Sequence, residues 1–122
     1  MRVLVCGGRD YKDRDHVWQT LARLNRERGP ITCIIHGAAS GADSEAAFWG
    51  RAQGIEVIAF RPDWDAYGNA AGPIRNEEMV VEGVPDLCLA FPGGRGTQDC
   101  VSRAERNKVE VILVPARKRV AA

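Results

Sequence analysis

Five short runs rich in valine, isoleucine and leucine recur along the chain and constrain its fold more than any other feature. They cover residues 3–6, 32–35, 56–60, 87–91 and 110–114. The runs are nearly continuously apolar, whereas a strand with one exposed face alternates between apolar and polar residues. Continuously apolar strands are typical of a parallel sheet that is covered on both faces. We therefore predict about five buried, mainly parallel strands.

Helical patterns lie between most of these strands. Apolar residues recur at helical spacing over 17–24, and Asp13 or Asp15 would serve as the N-cap of that helix. Strand and helix alternate through one domain, which predicts an α/β fold: a Rossmann-like, doubly wound sheet with helices on both faces. The further predicted helices cover 42–53, 74–81 with Pro73 in the first turn, and 99–107.

The length of the chain, 122 residues, fits one domain over 1–116, followed by a basic tail over 117–122 that we expect to be frayed. A formal net charge of +1 gives the chain no broad attraction for nucleic acid or for an anionic membrane. No apolar stretch approaches the length of a membrane span, and the N-terminus lacks the apolar segment of a signal peptide. We therefore expect a cytoplasmic protein.

The four cysteines agree with that location. Cys6, Cys33 and Cys88 lie in apolar runs, where a free cysteine behaves as a small hydrophobic residue. Together with Cys100 they form no CxxC pair, and their spacing relative to the two histidines is not that of a metal site. A reducing compartment is therefore favoured over a disulfide-stapled, secreted domain, and no metal is expected.

Glycine-rich segments follow three of the predicted strands. The carboxyl ends of parallel strands share one edge of a doubly wound sheet, where such folds bind ligands. Glycine lets the backbone approach a ligand, and the helix that follows adds unpaired N–H groups and a partial positive charge. This convergence predicts a site for a phosphorylated ligand, most naturally a nucleotide. The candidate ligand-binding residues are Gly7, Gly8 and Arg9 after the first strand; Gly37, Ser40, Gly41 and Asp43 after the second; and Gly93, Gly94, Gly96 and Thr97 after the fourth.

The spacing of these glycines also narrows the class of protein. It matches neither the P-loop pattern nor the complete GxGxxG fingerprint. An ordinary ATPase and an NAD-dependent dehydrogenase are therefore disfavoured.

The segment 61–79 adds side chains to the predicted site. Arg75, in the sequence GPIRNEEM, can fork onto a phosphate, or it could be an exposed arginine paired with a glutamate of its own helix. Asn76 lies beside it and is a further candidate ligand-binding residue. Trp64 could stack on a base, although packing in the core or at an interface explains an aromatic residue there equally well.

These motifs together resemble the SLOG superfamily, and most closely its YspA-like, YpsA-related branch of small bacterial and phage proteins. The matching segments are VCGGRDY, HGAASGAD, RPDW, GPIRNEEM and FPGGRGT, which span nearly the whole chain in this order. The resemblance implies a Rossmann-like fold that binds a nucleotide or a nucleotide-derived ligand, with no metal or redox cofactor. The LOG phosphoribohydrolases, which are more distantly similar, cleave a nucleoside monophosphate into a free base and ribose 5-phosphate.

In the LOG enzymes a PGGxGTxxE motif supplies a catalytic glutamate, and an arginine on the preceding helix assists. The resemblance implies that Pro92 and the glycines after it form the phosphate loop, and that Arg75 is the assisting arginine. The glutamate position falls on Cys100, however. The nearest acid, Asp99, is one residue early, which rotates a helical side chain by about 100°. An acid from elsewhere in the chain could take over: Asp43, Asp63 or Asp65.

Three functions follow from this pattern. The phosphate loops and the missing glutamate favour a module that senses or sequesters a nucleotide or a nucleotide-derived signal. The alternative is a hydrolase of the N-glycosidic bond of a nucleoside monophosphate, with Arg75, Asp43 and Asp99 as candidate catalytic residues. An accessory role in DNA processing comes third, because the net charge is close to zero.

The resemblance to LOG-like proteins also implies a homodimer. Three aromatic residues are candidates for its interface, although packing in the core is the safer expectation for each: Trp18, Phe48 and Trp49.

Overall fold

A computed structural model describes residues 1–117 of the chain. The predicted basic tail lies outside the described residues except for Arg117, which donates a hydrogen bond to Asp13 at 2.6 Å. In chain order the elements are β1 (Arg2–Cys6), α1 (Arg14–Glu27), β2 (Cys33–His36), α2 (Ala42–Ala52), β3 (Glu56–Ala59), α3 (Trp64–Tyr67), a 3₁₀ helix (Gly68–Ala70), α4 (Ala71–Val81), β4 (Leu87–Ala90), α5 (Arg95–Arg106) and β5 (Glu110–Leu113).

The strands form one parallel sheet in the order β3-β2-β1-β4-β5. The chain starts in the middle at β1, winds outwards to β3, and then returns to the other side of β1 to add β4 and β5. This reversal is the switch point of a doubly wound sheet, and it leaves a crevice at the carboxyl ends of β1 and β4. The predicted α/β fold is therefore confirmed, and every predicted strand is present to within one residue at each end.

The sheet separates two buried apolar layers, because successive residues of a strand point to opposite faces. In β1, Val3 and Val5 belong to one layer, against which α1 and α2 pack. Leu4 and Cys6 belong to the other layer, against which α4 and α5 pack. Helices on both faces explain why the central strands β2, β1 and β4 are almost wholly buried. The prediction of five buried strands is wrong for the edge strands β3 and β5, whose first and last residues are exposed.

The starts of the helices partly follow the sequence pattern. The carboxylate of Asp13 caps α1, where it accepts a hydrogen bond from the N–H of His16 at 3.2 Å. In contrast, the predicted start of α5 at residue 99 is wrong. The helix begins at Arg95 and includes Gly96, although glycine has a low helix propensity. The segment 61–72 holds α3 and the 3₁₀ helix. No helix within residues 1–117 is both long enough and apolar enough to cross a membrane.

The three aromatic residues considered for an interface have different environments. Trp49 is buried in the core, as expected, and Trp18 is half-buried against the same layer. Phe48 stays 60% exposed and stacks on Trp18, with ring centroids 5.6 Å apart. Packing in the core is therefore wrong for Phe48, whose side chain lies on the outer face of α2.

Candidate functional site

A cavity of about 710 Å³ opens at the switch point of the sheet. Residues that follow β1 and β4 form much of its wall, and α2, α4 and α5 contribute the rest. Its volume is in the range of small-molecule sites, roughly 300–1,000 Å³. Of the residues predicted from the sequence, the cavity is lined by Gly7, Gly8, Arg9, Asp43, Arg75, Asn76, Pro92, Gly93, Gly94, Gly96 and Thr97.

The loops after β1 and β4 pack directly against each other beside the cavity. The N–H of Gly8 donates a hydrogen bond to the carbonyl oxygen of Pro92 at 2.8 Å. A Cβ atom on Gly93 would lie 2.7 Å from the nitrogen of Gly8 and would collide with the hydroxyl of Thr97. A Cβ atom on Gly94 would meet nothing within 4 Å. The first glycine of the pair is therefore needed for packing, and the second leaves the start of α5 accessible.

Two helices begin at this edge without a side-chain cap from the described residues, since the N-cap residues of α2 and α5 are Gly41 and Gly94. Helices α1 and α3 are instead capped by the carboxylates of Asp13 and Asp63. An uncapped helix start offers unpaired N–H groups and a partial positive charge to an external anion. In the first turn of α5, Thr97 adds a hydroxyl to the wall of the cavity. This end of α5 can therefore bind a phosphate group.

Arg75 carries positive charge into the same cavity from α4. Its Nη1 donates to the carbonyl oxygen of Gly37, and its Nε donates to Oδ1 of Asn76 at 2.9 Å. Within residues 1–117 its guanidinium forms no ion pair with a glutamate of α4. A guanidinium has five N–H donors, so these two bonds hold it in the wall and leave donors for an anion.

Asp43 is the predicted catalytic carboxylate that lines the cavity. The residue is buried, with a relative exposure of 5%. Its Oδ2 accepts hydrogen bonds from the N–H groups of Gly37 at 2.9 Å and Ala39 at 3.3 Å. Burial raises the pKa of Asp43 to about 6, although these hydrogen bonds and the charge of Arg75 oppose the shift. Asp43 both closes the loop after β2 and places a group that titrates near neutral pH at the site.

Asp99 has a different environment. It does not contribute to the wall of the cavity, and its Oδ2 accepts hydrogen bonds from Nε of Arg103 at 2.9 Å and from Nδ2 of Asn76 at 3.0 Å. Burial opposes ionisation, but the bonds from Arg103 and Asn76 outweigh it and lower the pKa of Asp99. The next residue, Cys100, lines the cavity instead.

His36 is a buried polar residue beside the site. Its Nδ1 accepts a hydrogen bond from the N–H of Ala38 at 3.0 Å, which places the ring proton on Nε2. Nε2 has no hydrogen-bond partner among the described residues. Burial and three nearby arginines lower the pKa of His36 to about 4, so the ring is neutral at pH 7 and supports the loop after β2.

Four of the predicted ligand-binding residues stand outside the wall of the cavity. Gly37 contributes backbone groups to Arg75 and Asp43. Gly41 has φ +77° and lies so close to the carbonyl of Gly8 that a side chain would collide with it. Ser40 is exposed and donates its hydroxyl to the carbonyl oxygen of Arg9 at 3.2 Å. These three residues shape the loops.

Trp64 is the fourth, and it is 48% exposed. A Cβ atom built on Gly72 would lie 3.8 Å from Cη2 of Trp64 and 4.0 Å from Nη2 of Arg75. Trp64 and Arg75 therefore both lie beside Gly72, and base stacking remains a prediction for the indole.

Other residues of the wall were not among the predicted ligand-binding residues. Tyr11 belongs to the VCGGRDY segment, so its position could have been a signal. Met79 lies one helical turn after Asn76, and both line the cavity. No spacing in the sequence indicates that Cys6 and Cys100 meet, because strand register and helix packing bring them together. The full set of wall residues that were not predicted to bind the ligand is Cys6, Asp10, Tyr11, Ala39, Met79 and Cys100.

Comparisons with known proteins agree with this architecture. A family model described as YAcAr, the YspA, cpYpsA-related SLOG family, matches residues 1–67. The chain is 43% identical over 119 residues to the Gene 61 protein of Mycobacterium phage D29, which covers 91% of this chain and 94% of that protein. Among solved structures, it is similar to DNA processing protein A (DprA) from Streptococcus pneumoniae, with a TM-score of 0.73 and 19% identity. That match covers 95% of this chain and 50% of the DprA chain, so this chain spans about half of DprA, and the likeness shows the fold alone.

Proposed function

The chain belongs to the YspA, cpYpsA-related SLOG family, and from this premise we propose that it binds a nucleotide or a nucleotide-derived ligand in the cavity at the switch point. The ligand's phosphate lies at the start of α5, and Arg75 contacts it from α4. The protein acts as a sensor or as a sequestering module for that ligand.

One observation carries this proposal: the start of α5 is uncapped within the described chain, and it shares a cavity with a half-buried arginine. The unpaired N–H groups, the hydroxyl of Thr97 and the guanidinium of Arg75 are all donors, and a phosphate accepts hydrogen bonds in several directions. Gly94 and Gly96 leave space at this helix start, since a Cβ atom on either would meet nothing within 4 Å. The combination is complementary to a phosphate monoester.

Binding is better supported than hydrolysis, because the acid nearest to the LOG glutamate position is already engaged. Asp99 forms an ion pair with Arg103 outside the wall of the cavity, and the thiol of Cys100 lies in that wall. A thiol does not supply the negative charge that stabilises an oxocarbenium-like transition state.

Calorimetric titration with nucleoside monophosphates tests the proposal. We expect Arg75→Ala to weaken binding about 10- to 100-fold, because a charged hydrogen bond is lost, and Thr97→Ala to weaken it about 3- to 10-fold. Arg23→Ala and Ser102→Ala are the matched controls, since both side chains are exposed and outside the cavity, and both should bind as the wild type does. Failure of every phosphorylated nucleotide to bind would refute the proposal.

A hydrolase of the N-glycosidic bond is the second candidate, and the environment of Asp43 favours it. A carboxyl group in the cavity with a pKa of about 6 can hold a proton near neutral pH and can also ionise. In this reading Asp43 is the relocated acid and Arg75 orients the phosphate.

Release of free base from nucleoside monophosphates, followed by chromatography, separates the two candidates. The hydrolase requires release that is abolished in Asp43→Asn and retained in Asp99→Asn and Cys100→Ser. If the wild-type protein binds a nucleoside monophosphate tightly but releases no free base, the result supports the sensor or sequestering module.

The remaining proposals concern assembly, location and nucleic acid. The exposed phenyl ring of Phe48 supports a homodimer, for which light scattering of Phe48→Ala against the wild type is the test. All four cysteines are free thiols, which supports a reducing, cytoplasmic location. The structurally similar DprA is a DNA processing protein, but a net charge of +1 gives no support for a similar role here.

A further inference from the structure

Three cysteines that are far apart in the sequence meet beside the cavity. Cys6 is the last residue of β1, Cys88 lies in β4 and Cys100 lies in α5. The sulfur atoms of Cys6 and Cys88 are 3.8 Å apart, and the three sulfur atoms all lie within 4.8 Å of one another. Their relative exposures are only 6%, 0% and 1%, so the cluster is shielded from bulk water. We call these three residues the thiol cluster.

Strand register and helix packing create the thiol cluster. Cys6 pairs with Ala90 and Leu4 pairs with Cys88, so Cys6 and Cys88 point to the same face of the sheet as diagonal neighbours. Helix α5 packs on that face and adds Cys100 from above. The grouping therefore needs the tertiary fold, which is why no motif spacing indicates it.

For Cys6 and Cys88, the geometry suits a shared metal ion better than a disulfide. Two residues of rise along a strand and one strand spacing separate the Cα atoms of Cys6 and Cys88 by about 8 Å, beyond the span that a disulfide bridges without backbone movement. Three sulfur atoms bound to one ion at about 2.3 Å would be about 3.8–4.0 Å apart, depending on whether the site is tetrahedral or trigonal. The 3.8 Å between the sulfur atoms of Cys6 and Cys88 matches that spacing.

The cavity gives the thiol cluster a route to solvent. Cys6 and Cys100 both line the cavity, whereas Cys88 lies behind them in the apolar layer. An ion could therefore enter through the cavity and keep one coordination position directed towards it.

We propose that Cys6, Cys88 and Cys100 form a three-thiolate site for a thiophilic d¹⁰ cation such as Zn²⁺, with its fourth position open to the cavity. Thiolate sulfur selects such ions over hard cations such as Mg²⁺. This site does not depend on the proposed nucleotide function, because its ligands are not the groups that would hold the phosphate.

Binding of the ion must displace protons from the thiols. Hydrogen bonds from Cys100 and Cys6 lower the pKa of Cys88. In Cys100 a hydrogen bond with Cys6 opposes the change, but the bond with Cys88 and burial raise the pKa. Zn²⁺ therefore replaces protons that leave to the solvent, and its apparent affinity falls as the pH is lowered.

Anaerobic titration of the reduced, metal-free protein with Cd²⁺ tests the site. We expect a sulfur-to-cadmium charge-transfer band in the ultraviolet that saturates at one Cd²⁺ per chain and that Zn²⁺ removes by competition. Cys88→Ala and Cys100→Ala should each lower Cd²⁺ affinity at least tenfold. The matched control is Cys33→Ala, because Cys33 is an equally buried cysteine of the same layer but stands outside the thiol cluster.

X-ray absorption of the wild-type protein loaded with Zn²⁺ keeps the test independent of whether the variants fold. A first shell that contains three sulfur ligands supports the site. A shell of nitrogen and oxygen alone, a band that Cys33→Ala removes as fully as Cys88→Ala, or no band at one equivalent of Cd²⁺ would overturn it.

Discussion

The loops after β2 and β4 are similar in composition and in their place in the fold, but they differ in their hydrogen bonds. Each is glycine-rich, joins a buried strand to an uncapped helix, and is followed by an aspartate in or near the first turns. The loop after β2 is closed on itself, because Asp43 accepts hydrogen bonds from two of its backbone N–H groups. The loop after β4 is open at the helix start, and its aspartate, Asp99, is paired with Arg103 on the same helix.

This difference shows that a glycine-rich strand-to-helix connection can do two separate tasks. The loop after β2 is closed by Asp43, a buried acid in the first turn of α2 with a pKa of about 6. The loop after β4 supplies free donors for an anion. In the proposed site, the acid and the donors for the phosphate therefore come from different strand-to-helix connections, whereas the LOG motif combines them in one segment.

The largest expected effect is a difference in stability between substitutions at Gly93, which is tightly packed, and at Gly94, which has free space around it. Gly93→Ala should lower the free energy of unfolding by about 2–4 kcal/mol, because the new methyl group collides with Thr97 and Gly8. Gly94→Ala should cost no more than about 1 kcal/mol, since a Cβ atom there would meet nothing within 4 Å. Urea denaturation measures both. Equal losses in the two variants would contradict the description of this loop.

The next effect is the pH dependence that Asp43 imposes on stability. Its pKa is about 6 in the folded protein and near 3.8 when unfolded, so between pH 4 and 6 the folded state binds more protons. The stability contributed at low pH is therefore lost as the pH rises to about 6, by up to about 3 kcal/mol. Asp43→Asn should remove this loss.

The measurement is the difference in unfolding free energy between the wild type and Asp43→Asn from pH 4 to pH 7. Taking the difference cancels the contribution of His36, which has the opposite sign: its lowered pKa makes stability rise between about pH 4 and 6.5. A difference that stays constant with pH would mean that the pKa of Asp43 is not raised in the folded protein.

Asp99→Asn should give the smallest effect. The pKa of Asp99 is lowered, so its contribution is present at neutral pH and is lost only as the pH falls below about 4. The ion pair with Arg103 is partly exposed, so we expect a loss of at most about 1 kcal/mol at pH 7 and an unchanged nucleotide affinity. A nucleotide affinity that drops tenfold would show that Asp99 belongs to the site after all.

Much of the fold follows from local patterns in the sequence. Continuous apolar runs define the strands, and strand–helix alternation with right-handed crossovers gives a doubly wound sheet whose strands all end at one edge. That edge brings the predicted glycine loops together, which is why most of the predicted site residues line the cavity.

What the sequence could not indicate depends on tertiary neighbours. The hydrogen bond from Asn76 to Asp99 requires the contact of α4 with α5, whereas the pairing of Asp99 with Arg103 is local to α5. The thiol cluster requires the register of β1 and β4. The helical turns at 64–70 were not among the predicted helices, because Gly68 and Asn69 are typical of turns and each helix is too short to show a helical period.

The central claim is that the cavity holds a nucleotide by its phosphate at the open start of α5. Calorimetry of each nucleoside monophosphate against the matching nucleoside tests it most directly. We expect at least one monophosphate to bind about 100-fold more tightly than its nucleoside, because the nucleoside lacks the group that the α5 N–H groups, Thr97 and Arg75 contact. Equal affinity for the two compounds, or binding of neither, would contradict the claim.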